Sequence, residues 1–330
     1  MTNATARLAR SITWASSKQS YLTARLLADR LRADDCLRAY AYFRWADDMI
    51  DIHLSGRDER LVFIERQKAL IDCLYLGERP GDLSPEEAML ADLIAHDRRP
   101  DSGLHSFIHN FMGVIEFDAR RAAVNTPGGK GRIPGRHELA AYTTCLATAV
   151  MDGIQYFIGN DHPYPRTHDR TLAVTGAHIT HMLRDTLEDL TAGLVNIPAE
   201  DLETYGININ NDANSEQFRQ WVNAQVELAR SCFQEGKIYI DSLEVLRCKL
   251  AGVWYCARFE CVLKAIERDG YRLRAEYHER HALRAWLEVA RLGAVTIGKH
   301  YARRIRSYFF RLSHQPELNS KLNIPSYYIK

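Results

Sequence analysis

Tyr40-Ala41-Tyr42-Phe43-Arg44-Trp45-Ala46-Asp47-Asp48-Met49-Ile50-Asp51 and, far along the chain, His181-Met182-Leu183-Arg184-Asp185-Thr186-Leu187-Glu188-Asp189 decide how this sequence is read. Each stretch holds two aspartates four positions apart, about one helical turn, so Asp47 shares a helix face with Asp51 and Asp185 with Asp189. Each also carries an arginine: Arg44 three residues before Asp47, and Arg184 directly before Asp185. The flanking residues are apolar enough to belong to a core, where carboxylates are costly unless something cationic compensates them. Facing carboxylate pairs suit hard divalent cations, and the arginines suit a diphosphate. One such pair is common on solvated helix faces. Two, each with its arginine and set in apolar helix, point toward prenyl diphosphate chemistry.

Outward from these stretches the pattern is helical nearly throughout. Apolar residues recur at three- and four-residue spacing over 20–33, 35–54, 57–75, 86–96, 103–122, 137–158, 170–192, 214–235, 237–268 and 280–312. Asp34-Asp35 and Ser84 read as N-caps, and Glu87 gives Ser84 a capping-box spacing. Breaks fall at 77–81, 125–131 and 161–165. The glycine-rich break at 125–131 lacks the GxxxxGK[ST] order, so it reads as a connection between helices and a candidate pocket flap rather than a phosphate cradle. No stretch alternates like a strand, and no break is long enough for an interdomain linker. The expectation is one all-α domain over residues 1–330, with a C-terminal helical extension from 280.

The 330 residues are 46% hydrophobic and 26% charged, ordinary for a globular protein able to bury a large core. A formal net charge of +1 gives no global field for nucleic acid. Seven cysteines, without CxxC spacing and mostly within apolar helical stretches, fit a reducing, cytoplasmic setting. No signal peptide and no transmembrane run is expected.

At the residues quoted above, the chain resembles the squalene/phytoene synthase family of prenyltransferases, most strongly over residues 10–275. Tyr40-xxx-Arg44-xx-Asp47-Asp48-xx-Asp51 resembles the family's first aspartate-rich helix, and Leu183-Arg184-Asp185-xx-Glu188-Asp189 its second, with Gly193 and Ile197-Pro198 following. Ser16-Ser17-Lys18-Gln19 is similar to a diphosphate-binding turn. Glu116-Phe117-Asp118 with Arg121, Leu139-xx-Tyr142, and Phe259 through Tyr271 resemble the middle and late helices. The resemblance implies an isoprenoid-synthase fold with a central active-site cavity, Mg²⁺ (or Mn²⁺) as cofactor, and head-to-head joining of two farnesyl or geranylgeranyl diphosphates through a cyclopropyl diphosphate. It implies metal at Asp47, Asp48, Asp51, Asp185 and Asp189. It implies substrate contacts from Ser16, Ser17, Lys18, Gln19, Tyr40, Arg44, His178, Arg184 and Phe259, with Tyr142 near the reacting carbons and Arg44, Arg184 and Tyr40 serving catalysis.

Departures from the family pattern matter as much. His178 and His181 stand where Gln and Asn are usual, so His181 would offer a metal nitrogen instead of oxygen, which shifts preference toward softer metals. Helical spacing puts His178, His181, Asp185 and Asp189 in one stripe. Phe259 replaces a pocket tyrosine, while Met151 and Leu187 replace small glycines and should reshape the cavity. These changes leave open a terpene synthase, a halt at the cyclopropyl diphosphate, or an alcohol product. They also leave NADPH use open. Outside the family stand a transition-metal protein built on the same histidines and a silent prenyl-lipid binder. The His96-Asp97 and His168-Asp169 dipeptides lack an ordered ligand set for a metal phosphohydrolase. Lys299-His300-Tyr301-Ala302-Arg303-Arg304-Ile305-Arg306-Ser307-Tyr308-Phe309-Phe310-Arg311 is basic and aromatic; it reads as a solvated helix with one packed face, or as one resting peripherally on an anionic membrane.

Overall fold

The computed structural model describes residues 2–121, 132–209, 215–281 and 283–313. The expected flap at 125–131 and the tail past 313 lie outside the described residues. In chain order the helices are α1 (Thr2–Ser16), α2 (Lys18–Leu27), α3 (Ala33–Asp48), α4 (Arg57–Tyr75), α5 (Pro85–His96), α6 (Gly103–Arg121), α7 (Arg136–Gly153), α8 (Leu172–Thr191), α9 (Ala199–Tyr205), α10 (Glu216–Ser242), α11 (Leu246–Arg268) and α12 (Leu283–Ser313). Wide π-helical turns, Met49–His53 and Ile154–Ile158, extend α3 and α7. No strand occurs among the described residues.

Two apolar cores organise the bundle. One joins α3, α4, α5 and α6 through Tyr42, Phe43, Ile64, Leu90, Leu104 and Ile108. The other joins α8, α10 and α11 through Leu183, Trp221, Phe233, Val262 and Leu263. Helices α6 and α7 pack along each other, and α7 also packs on α8, so this pair forms the seam between the cores. The first acidic turn therefore hangs from one core and the second from the other.

Several boundaries differ from the sequence expectation, each for a tertiary reason. Helix α2 ends at Leu27 instead of running to 33, because Asp29 donates its N–H to the Phe157 carbonyl (2.8 Å) and its carboxylate accepts from Leu31 N–H (3.1 Å). Arg32 then lies 3.7 Å over the Tyr156 ring. Asp34 and Asp35 are not N-caps; Arg32 holds that position, Asp34 pairs with Arg10 (2.8 Å), and buried Asp35 pairs with Arg38 (2.6 Å) and His96 (2.9 Å). Gly236 does not break α10. A Cβ there would stand 2.2 Å from the Ala173 nitrogen, so glycine is needed for α10 to cross α8, and the break comes at 243–245 instead. The Ser84–Glu87 capping box forms as expected.

The seven cysteines are free thiols, Cys232, Cys248 and Cys256 among them buried. Among the described residues no helix is long and apolar enough to cross a membrane.

Candidate active site

Burial without enough positive charge dominates the first acidic turn. Burial and the Asp51 charge push the Asp47 carboxyl up to about 6. Asp51 reaches solvent at the rim, yet the protein crowded around it still raises its carboxyl, against the pull of Arg44 and Arg60. Arg44, half-buried, donates to Asp47 (3.1 Å) and, through Nε, to Asp48 (3.2 Å), with a second bond to Asp48. The Tyr40 phenol lies within electrostatic reach of Arg44.

The second turn is compensated locally. Arg184 grips Asp185 with both Nε (2.5 Å) and a terminal nitrogen (2.6 Å), and His181 Nε2 sits 2.9 Å from the same carboxylate. Burial pushes Asp185 upward, but these hydrogen bonds and charges outweigh it and hold the carboxyl well below its ordinary range. Asp189, lacking such partners, rises to about 6 through burial and the Asp185 charge, although Asn196 donates to it (2.6 Å).

Between the turns lies a cluster on the α6–α7 seam. Buried Arg121 donates from Nε to Asp118 (3.0 Å) and from a terminal nitrogen to Asn196 (2.5 Å). Its charge reaches both Asp51 of the first turn and Asp189 of the second. One guanidinium thus acts on both carboxylate pairs. Tyr142 donates its hydroxyl to Asp118 (3.2 Å), and burial raises that phenol well above its usual range. Its ring lies 4.7 Å from Phe117 and 5.2 Å from His178.

His178 is buried with both ring nitrogens unpartnered, so it does not hydrogen-bond a neighbouring helix. Phe259 is 6.4 Å from the His181 ring and 5.0 Å from Tyr255, which restores an aromatic hydroxyl one turn earlier on α11. Met151 is buried in the α7–α8–α11 cluster, and Leu187 packs against the α8–α10–α11 core. The segment 16–19 lies at the α1–α2 junction. There Ser17 caps α2 by accepting from Ser20 N–H (3.1 Å), and Lys18 sits 5.6 Å over Trp14. No hydrogen bond or ion pair in the described residues links Ser16, Ser17, Lys18 or Gln19 to either acidic turn.

The donor set fits a hard divalent cation: carboxylate oxygens, with the Asp47, Asp51 and Asp189 carboxyls raised chiefly by burial. No group of three ligand side chains that could hold a metal is gathered among the described residues. Asn196 and Tyr255 escaped the sequence reading. Arg121 and Asp118 stood out only through the family likeness, because what brings them to the site is the meeting of α6, α7 and the loop after α8. Two surface recesses, of about 380 and 210 Å³, lie apart from this cluster between α4 and α6, around Asp72 and His109.

In overall architecture the chain is similar to the squalene synthase HpnC from Alicyclobacillus acidocaldarius (18% identity, TM-score 0.65, covering 83% of this chain and 97% of that one). It is equally similar to a dehydrosqualene synthase solved in complex with ligand (16% identity, TM-score 0.65, 88% and 96% covered). At such identities the likeness establishes the fold. No curated protein matches the chain in sequence. The family described as squalene/phytoene synthase matches residues 14–286, and with both acidic turns inside that span the chain belongs to this family of prenyltransferases.

Proposed function

We propose that the protein joins two molecules of farnesyl or geranylgeranyl diphosphate head to head, through a cyclopropyl diphosphate, with Mg²⁺ as cofactor and Mn²⁺ as a substitute. The observation that carries the reading is Arg121, whose charge reaches Asp51 and Asp189 together. Two acidic turns from distant parts of the chain then face one substrate space. Asp47, Asp51, Asp185 and Asp189 would hold the metal, with Asp48 and His181 as flanking ligands. When bound, the metal neutralises charge on the departing diphosphate.

The chain's own residues supply the rest. Arg44 and Arg184 now neutralise carboxylates of their own helices; an arriving diphosphate offers the same guanidinium groups a more highly charged, bidentate partner. Tyr40 lies near Arg44, and Ser17 and Lys18 stand at the N-terminus of the ten-residue helix α2, an end whose dipole suits an anion. Two aromatic pairs, Tyr142 with Phe117 and Tyr255 with Phe259, would shelter an allylic cation from water and stabilise it over ring faces.

The test is incubation of the purified protein with each diphosphate and Mg²⁺, with and without NADPH, and mass spectrometry of the products. The expected product contains two prenyl chains and disappears with a chelator. A monocyclic hydrocarbon or alcohol from one substrate molecule would overturn the reading.

A further inference from the structure

His178 lies on α8 with its side chain 5% exposed, and neither Nδ1 nor Nε2 has a hydrogen-bond partner. A neutral imidazole brings one donor and one acceptor, and buried polar groups in folded proteins are nearly always paired. An ordinary core histidine would therefore have found a carbonyl or hydroxyl. This one faces the Tyr142 ring at 5.2 Å and stands one helical turn before His181, on the stripe that leads to Asp185 and Asp189. Both nitrogens are therefore open to a partner that none of the described residues supplies.

The surroundings fix its protonation state. Burial, then the positive fields of His181 on its own helix and Arg121 on α6, drive the imidazole down to about 3. Tyr142, facing it from α7, has its proton engaged with Asp118. The ring is therefore neutral at working pH and does not repel a carbocation beside it. The other groups nearby are engaged: Asp185 by Arg184 and His181, His181 Nε2 by Asp185, Asp118 by Arg121 and Tyr142, and Asp189 by Asn196 and, on the reading above, by the metal. A hydrogen on the carbon next to a cationic centre is so acidic that even a weak neutral base removes it.

We propose that His178 is the proton acceptor that terminates the reaction. It takes a proton from the carbon adjoining the last cationic centre, and the electrons of the broken C–H bond become the new C=C bond. The imidazolium then passes that proton to the released diphosphate and returns to neutral. No hydride donor enters, so the product is a polyene carrying the additional double bond, formed without NADPH. This inference rests on the two-substrate reaction proposed above.

The test compares wild type with His178→Gln and His178→Phe, supplied with whichever diphosphate the wild type consumes, without NADPH. Substrate consumption, the cyclopropyl diphosphate, the polyene and alcohols are measured together. Wild type should release the polyene. In both variants the polyene should fall about a hundredfold relative to the cyclopropyl diphosphate formed, the usual range for loss of a positioned base. The cyclopropyl diphosphate or a water-captured alcohol should accumulate in its place. With substrate carrying two deuteriums at the carbon bonded to diphosphate oxygen, wild-type polyene should retain two of the four supplied by its two chains, one lost as the cyclopropane closes and one in the last step. Circular dichroism and melting of both variants identify any that fail to fold, and the folded variant decides. An unchanged product ratio in a folded variant, or a wild type that needs NADPH, overturns the role of His178 alone. A wild type that makes no two-chain product overturns it together with the family reaction.

Discussion

The two acidic turns carry the same four-residue spacing but solve burial differently. Around Asp47 and Asp51 the carboxylates crowd one another, and Arg44, shared with Asp48, leaves both carboxyls raised. Around Asp185 the compensation is complete, since Arg184 binds it with two nitrogens and His181 adds a third contact. Only Asp189 remains raised there. The first turn is electrostatically short of a cation; half of the second already has one. A repeated motif therefore need not be a repeated site.

The sharpest way to break this comparison is to make the same substitution on both sides. Asp47→Asn and Asp185→Asn should each lower kcat/KM on the order of a thousandfold, the scale for removing preorganised charge stabilisation at a breaking bond. Their effects on stability should then diverge. Asp47→Asn relieves repulsion and should leave the metal-free urea midpoint unchanged or raised. Asp185→Asn strands Arg184 and His181 and should destabilise by roughly 1–2 kcal/mol, the scale of hydrogen bonds to charged groups. Equal urea midpoints in the two variants would remove the asymmetry.

Arg121 tests whether the turns belong to one site. Its guanidinium ties Asp118 and Asn196 together and lies 5.9 Å over the Tyr142 ring. Arg121→Met keeps the volume and removes the fork, so activity should drop about a hundredfold, with a loss of roughly 3 kcal/mol from the unpaired buried Asp118. Arg121→Lys should recover little, because a point charge cannot address two partners in fixed geometry. Full activity in Arg121→Lys would show that the bridge between the turns is only electrostatic.

What the sequence made legible follows the same division between local and tertiary causes. The acidic turns and the Ser84–Glu87 box depend on spacing within one helix, and both were readable from spacing alone. Helix α1 went unread because its buried face is Ala6, Ala9 and Thr13, too small and polar to register as an apolar stripe. Helix α9, seven residues led in by Pro198, is too short for a period to emerge. The continuity of α10 across Gly236, between the segments 214–235 and 237–268 read from the sequence, was not legible because the role of that glycine, the close crossing by Ala173, depends on another helix. Asn196 reaches Asp189 only because the chain folds back after α8.

The smallest effect expected is on the pH dependence of stability, where the turns and His178 pull in opposite directions. Asp47 and Asp189, one from each turn, titrate at about 6 in the folded chain, above the ordinary 3.8. Between those values the folded state holds more protons than the unfolded one, so acidification strengthens folding through these groups. His178 has the opposite sign. Its folded value of about 3 lies below the ordinary 6.5, so as pH falls through that window the unfolded chain binds the proton first and stability is lost. Each group contributes a slope of at most about 1.4 kcal/mol per pH unit. Wild type, with two carboxyls against one imidazole, should gain slightly between about pH 6 and pH 5, by under about 1 kcal/mol. His178→Gln removes the opposing imidazole and should grow more stable over that interval, and Asp47→Asn should shift the balance the other way. Urea midpoints of the metal-free proteins measure this directly. Parallel profiles for wild type and His178→Gln would mean that the imidazole is not held neutral, and the contrast drawn between it and the acidic turns would fall with that result.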